Sequence, residues 1–180
     1  MKIFASKKVL IGVVLLAALG VAGAFYMEQH PLGLLKEYTR NSNYEYVLGV
    51  PKGIAGSSYT IPPSLAEGTN LSTDTYISYE ELPNPTSCDP REFLDGEPEV
   101  SEVTDDGITY LVAHSVGAGA GNRYDETVYV FKDYKPCSAI RYYIHYGVIE
   151  NYPEGAVKEF DRTALIAQFD GIRRLLANSR

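Results

Sequence analysis

The stretch ETVYVFKDYKPCSAIRYYIHYGVI, residues 126–149, holds two β-rich runs around a short polar turn, and one of only two cysteines in the chain opens the second run. Val, Ile, Thr, Tyr and Phe suit a pleated, half-buried surface, so the stretch reads as the central hairpin of a sheet. Strand side chains alternate with period two. In the second run Ile140, Tyr142, Ile144 and Tyr146 therefore share one face, and Cys137, Ala139, Arg141, Tyr143 and His145 the other. The first set is the expected core face. The second is expected to face solvent, with Tyr143 packing between Arg141 and His145.

Downstream, Asn151–Gly155 reads as a turn and the chain closes in a helix. Asp161 fits the N-cap, with Phe160 and Leu165 placed to staple the first turn. Leu165, Phe169, Ile172 and Leu176 follow at steps of 4, 3 and 4, which sets them on one stripe. That stripe is expected to pack on the sheet face holding Ile140 and Ile144, leaving Gln168 and Arg173 exposed.

Upstream, Asp105-Asp106-Gly107 has the chemistry of a hairpin turn, with Ile108–Val116 as the following arm. GAGAG, residues 117–121, is expected to bend the chain into the central hairpin. It is not a dinucleotide loop, since the third glycine of such a motif falls at Asn122 and no helix follows. Asp89 and Pro90 fit the cap and first position of a short helical turn that directs Phe93 and Leu94 inward. Thr73–Glu81 reads as a strand with tyrosines on both faces, so alternation does not say which is buried. Ser57–Ile61, ended by Pro62-Pro63, and Tyr44–Val50 read as shorter strands.

The N-terminus differs in kind. Lys2, Lys7 and Lys8 precede 19 residues without charge, Val9–Met27. Two readings stand: a retained helix spanning about 28 Å, close to bilayer thickness, or a signal cleaved near Ala24 after a small-x-small site. The retained anchor is expected, because the apolar run exceeds the usual signal length of about 7–15 residues. Lysines before it keep the N-terminus cytoplasmic and the domain outside. The expected division is residues 1–27 as anchor or signal, 28–43 as spacer and 44–180 as exported domain. The fold class is α+β, a mainly antiparallel sheet with a packed C-terminal helix.

YTIPPSL (59–65), TYISYEEL (75–82), the GAGAG-led hairpin and FDRTALIAQFDGIRRLL (160–176) resemble a group of uncharacterised exported bacterial envelope proteins, over about residues 55–177. More distantly, the order of strands followed by a closing helix is similar to the PsbP-like fold, an antiparallel sheet flanked by helices. The resemblance implies a binding or assembly module. It carries over no functional residue, because no family motif is matched position by position, and the PsbP-like likeness is one of order and not of motif.

Composition narrows the chemistry. The net charge is −7, and beyond residue 26 the chain holds 13 basic against 23 acidic residues, without a basic cluster to neutralise phosphates. A nucleic acid partner is not expected. Cys88 and Cys137 lie in a domain placed outside the cytoplasm and are expected to form a disulfide. No cofactor, metal or catalytic residue is expected: His114-Ser115 lacks the GxSxG turn of a serine nucleophile, and the acids of Asp95–Asp106 lack calcium-loop spacing. Arg141, Tyr143 and His145 are the candidate partner-binding residues. Arg141 and His145 stand about 13 Å apart at strand rise, suited to one extended anionic partner. The expectation is a non-enzymatic envelope protein facing the periplasm, held to the membrane by its N-terminal helix, whose partner is another envelope protein or a small ligand. The alternative is an enzyme acting on an envelope substrate with Arg141 and His145 in its site.

Overall fold

The computed structural model describes residues 35–42, 54–83, 85 and 87–179. The apolar run Val9–Met27 and the strand expected at Tyr44–Val50 lie outside them. Among the described residues no helix is long and apolar enough to cross a membrane.

Among the described residues seven strands form one antiparallel sheet: β1 (Thr39–Asn41), β2 (Ala55–Thr60), β3 (Tyr76–Leu82), β4 (Val100–Asp105), β5 (Ile108–Gly119), β6 (Asn122–Phe131) and β7 (Cys137–Gly147). A short helix α1 (Pro63–Ala66) follows β2, with Pro63 at its first turn, and α2 (Arg162–Asn178) closes the chain. The order β1-β2-β3-β7-β6-β5-β4 joins two meanders along β3 and β7. β6 and β7 are the central hairpin expected from residues 126–149, with Tyr129 opposite Ile140 and Thr127 opposite Tyr142.

This order decides what covers the sheet. β3 sits beside β7 and β4 at the far edge, so the connection between them must travel four strand spacings, about 19 Å. It crosses one face of the sheet and carries Cys88, the 3₁₀ turn Pro90–Glu92, and Phe93 and Leu94, both buried. The Asp89 carboxylate caps that turn by accepting from the Arg91 amide, as the sequence indicates. Phe93 and Leu94 join Ile54, Ala113, Val128, Val130, Cys137 and Ala139 in one apolar cluster. The Cys88–Cys137 disulfide, with Cα atoms 5.4 Å apart, ties the crossing to the start of β7. Such a bond is compatible with an oxidising, extracytoplasmic location.

α2 covers the other face. Asp161 caps it by accepting from the Ala164 amide, and Leu165, Phe169 and Ile172 enter a second cluster with Ile77, Tyr110, Ile140, Tyr142, Ile144 and Phe160. Leu176 packs at its border. Arg173, expected exposed, is buried. It lies over the Tyr110 and Tyr129 rings, donates to the Tyr142 hydroxyl at 2.8 Å and pairs with Asp105 and Asp170. Gln168 is half-buried and accepts from the Tyr38 hydroxyl at 3.1 Å. Tyr38 packs on Phe169, and Thr39–Asn41 extends the sheet, so this part of the stretch read as a spacer belongs to the packed body.

Both hairpin turns flanking β5 use two residues of positive φ, Asp106-Gly107 and Ala120-Gly121, which matches the right-handed twist of the strands they join. The bend expected throughout GAGAG is confined to its end. Gly117 and Gly119 continue β5 as regular strand opposite Tyr124 and Asn122.

Candidate binding site

Arg141, Tyr143 and His145 do share one face of β7, but the crossing connection changes their setting from the solvent-facing one expected. Arg141 is fully buried, at 0% exposure. Its guanidinium is held on every side. Nε donates to Glu80 Oε1 at 2.6 Å, one terminal nitrogen donates to Glu80 Oε2 at 3.1 Å and to the Phe93 carbonyl at 2.5 Å, and the other donates to Glu126 Oε2. Ser78, one pleat along β3, donates to Glu80 Oε1 at 2.8 Å. Forked pairing of a planar guanidinium with a carboxylate is the geometry that best offsets the desolvation of both charges.

The cluster holds one cation and two carboxylates, and the less enclosed acid takes up the imbalance. Burial pushes the Glu126 carboxyl above its ordinary value of 4.5, against the attraction of Arg141. A raised value in the fold means that Glu126 contributes most to stability below 4.5, and that this contribution is lost as pH rises through the raised value. Asp105 behaves oppositely: hydrogen bonds from Arg174 and Arg173 outweigh its burial and hold it below 3.8, so its contribution fades only in stronger acid. Glu126→Gln, which fixes the neutral form, is expected to lose less stability than wild type between about pH 5 and about pH 7. Denaturation midpoints at the two pH values check this. Parallel changes in the two proteins would show that Glu126 titrates alike folded and unfolded.

From Arg141 the face runs outward through aromatic rings. Tyr143 is buried and stacks on Tyr76, with centroids 4.8 Å apart and planes at 19°. Tyr124 on β6 leans toward Tyr143 and stacks on the His145 ring at 4.6 Å. His145 Nδ1 lies 2.7 Å from Asp74 Oδ1, while its Nε2 is buried without a hydrogen-bond partner. The His145 side chain retains 14% exposure and that of Asp74 42%. The face thus grades from a closed ion-pair centre at Arg141 to an accessible rim of Tyr124, His145 and Asp74.

His114 and Ser115, as neighbours on a strand, point to opposite faces and form no pair. His114 Nε2 instead meets Asp125 Oδ1 at 2.7 Å, and the other Asp125 oxygen accepts from Arg162 at 2.5 Å. Arg162 covers the Tyr146 and Phe160 rings, so this trio fastens the start of α2 to β5 and β6. Among the described residues no group of three or more His, Cys, Asp or Glu side chains is placed to hold a metal ion.

Glu80, Glu126 and Asp74 are the participants that the sequence did not single out. For Glu80 a signal exists: period two in TYISYEEL puts it on one face with Tyr76 and Ser78, an acid within a β-rich run. For Asp74 none exists, because its contact with His145 depends on a pairing 71 residues apart. No family model, no curated protein and no solved structure matches the chain.

Proposed function

We propose that this chain is a non-enzymatic binding or assembly module of the cell envelope, held to the inner membrane by its N-terminal segment, which meets another envelope protein along the rim of Tyr124, His145 and Asp74. The observation carrying this reading is the closure of Arg141: Glu80, Glu126 and the Phe93 carbonyl occupy its guanidinium, while the aromatic rim beside it stays accessible. A tyrosine with an apolar body and a polar tip is well suited to such a contact. The disulfide supports an extracytoplasmic setting. The enzymatic alternative would rest on the Asp74–His145 pair, but Nδ1 is held by Asp74 and Nε2, the nitrogen left to act as a general base, is buried.

A photo-reactive phenylalanine analogue placed at Tyr124 in the full-length chain, in intact cells, tests the reading. It is expected to cross-link one defined protein, and the same probe at Ala167, exposed on α2, is not. Equal labelling from both positions, or none from Tyr124, would overturn it.

A further inference from the structure

The Cys88–Cys137 disulfide is not sealed in the core. A cavity of about 450 Å³ opens beside it, lined by both cysteines together with Leu82, Tyr134, Lys135 and Pro136. Tyr134 is 45% exposed, and Lys135 and Pro136 are exposed as well, so the cavity is reached from solvent. The two cysteines differ in access: Cys137 lies in the apolar cluster, whereas Cys88 is half-buried. In a chain of net charge −7, Lys135 is the one charged side chain lining the cavity among the described residues. A cation beside an accessible disulfide favours the approach of a thiolate, the anion that attacks sulfur.

The same bond fastens the connection that closes Arg141. Downstream of Cys88 on that connection, Phe93 sets its carbonyl on the Arg141 guanidinium and its ring in the apolar cluster. The side-chain hydrogen bonds of the intervening turn stay within the connection: Asp89 accepts from Arg91, and Glu92 from Ser87. Charge works against the closure. Glu80 and Glu126 share one guanidinium beneath the connection, and Asp95, on the connection itself, repels Glu126.

We propose that Cys88–Cys137 is an exchangeable disulfide, opened by a dithiol of the envelope that enters this cavity, and that opening it releases the connection from Arg141. A partner thiolate bonds to Cys88 Sγ, the Cys88–Cys137 bond breaks, and its electron pair leaves on Cys137 Sγ, which takes a proton from solvent. The partner's second thiolate then attacks the partner sulfur of the mixed disulfide. The electron pair departs on Cys88 Sγ, which is protonated in turn. Two electrons pass, leaving the partner as a disulfide and this chain with two thiols. Once the bond is open, Phe93 and Leu94 hold the connection against the excess negative charge at Glu126, and local opening brings the guanidinium to solvent. The inference does not depend on what the Tyr124 rim binds.

Dithiothreitol acting on the full-length chain without denaturant tests it. Acid-quenched alkylation is expected to find two new thiols in the folded protein, and Lys135→Glu to slow their appearance by at least about threefold at low salt, because it reverses the charge that the thiolate meets. With glutathione as the thiol, peptide mapping should find the mixed disulfide on Cys88. In the reduced protein phenylglyoxal is expected to modify Arg141 at least about tenfold faster than in the oxidised protein, while Arg173, buried on the opposite face, stays protected and reports that the fold is intact. In growing cells, rapid acid quenching is expected to trap part of the chain as the dithiol. A bond reduced only in denaturant, glutathione on Cys137, a rate indifferent to Lys135→Glu, no dithiol form in cells, or Arg141 and Arg173 both protected or both modified would overturn the proposal.

Discussion

Replacing Arg141 by methionine is expected to remove about 3–5 kcal/mol of stability, enough to leave a domain of ordinary stability barely folded. The reason is the company it leaves. Glu80 is fully buried, and without the guanidinium its carboxylate faces an interior with no cation to offset its desolvation. The Phe93 carbonyl, which accepts from Arg141 at 2.5 Å, loses its partner as well, so the crossing connection loosens where it covers the sheet. Adding Glu80→Gln and Glu126→Gln to Arg141→Met removes the stranded charges and is expected to recover part of the loss. Urea denaturation of the three proteins measures this. Arg141→Met within about 0.5 kcal/mol of wild type would mean that the ion pairs contribute nothing.

Phe169→Ala is expected to cost about 3–5 kcal/mol, through lost transfer energy and the cavity left between sheet and helix. Phe169 is fully buried, with ring centroids 5.2 Å from Tyr142 and 6.4 Å from Tyr38. Thr163→Ala, at an exposed position on the same helix, should stay within about 0.5 kcal/mol and is the control. Arg173 cannot serve that purpose, because its guanidinium bridges Tyr142, Asp105 and Asp170 beneath the helix. Equal denaturation midpoints for Phe169→Ala and Thr163→Ala would show that the helix does not dock.

Local chemistry was well written in the chain. The cap at Asp161, the turn at Asp106-Gly107, the 3₁₀ turn after Asp89 and the stripe of Leu165, Phe169 and Ile172 each follow from residues within a few positions of one another. What period two could not say is which faces of β7 are covered, since alternation separates two faces without assigning either to solvent. That depended on strand order. With β4 at the far edge, the connection from β3 must cross the sheet, and Arg141 becomes an interior residue. Arg173 was missed for a related reason. A long side chain at the border of an apolar stripe can lie inward over Tyr110 and Tyr129 when an acid such as Asp105 waits beyond them, and a helix pattern does not contain that acid.

The guanidinium of Arg141 is closed within the fold, and the proposed reading therefore gives contact with a partner to the Tyr124 and His145 rim. Arginine-selective labelling with phenylglyoxal, read residue by residue by peptide mapping, measures it directly. In the native protein Arg141 should stay unmodified while the exposed Arg91 reacts, and both should react in denaturant. Modification of native Arg141 at the rate of Arg91 would contradict the account.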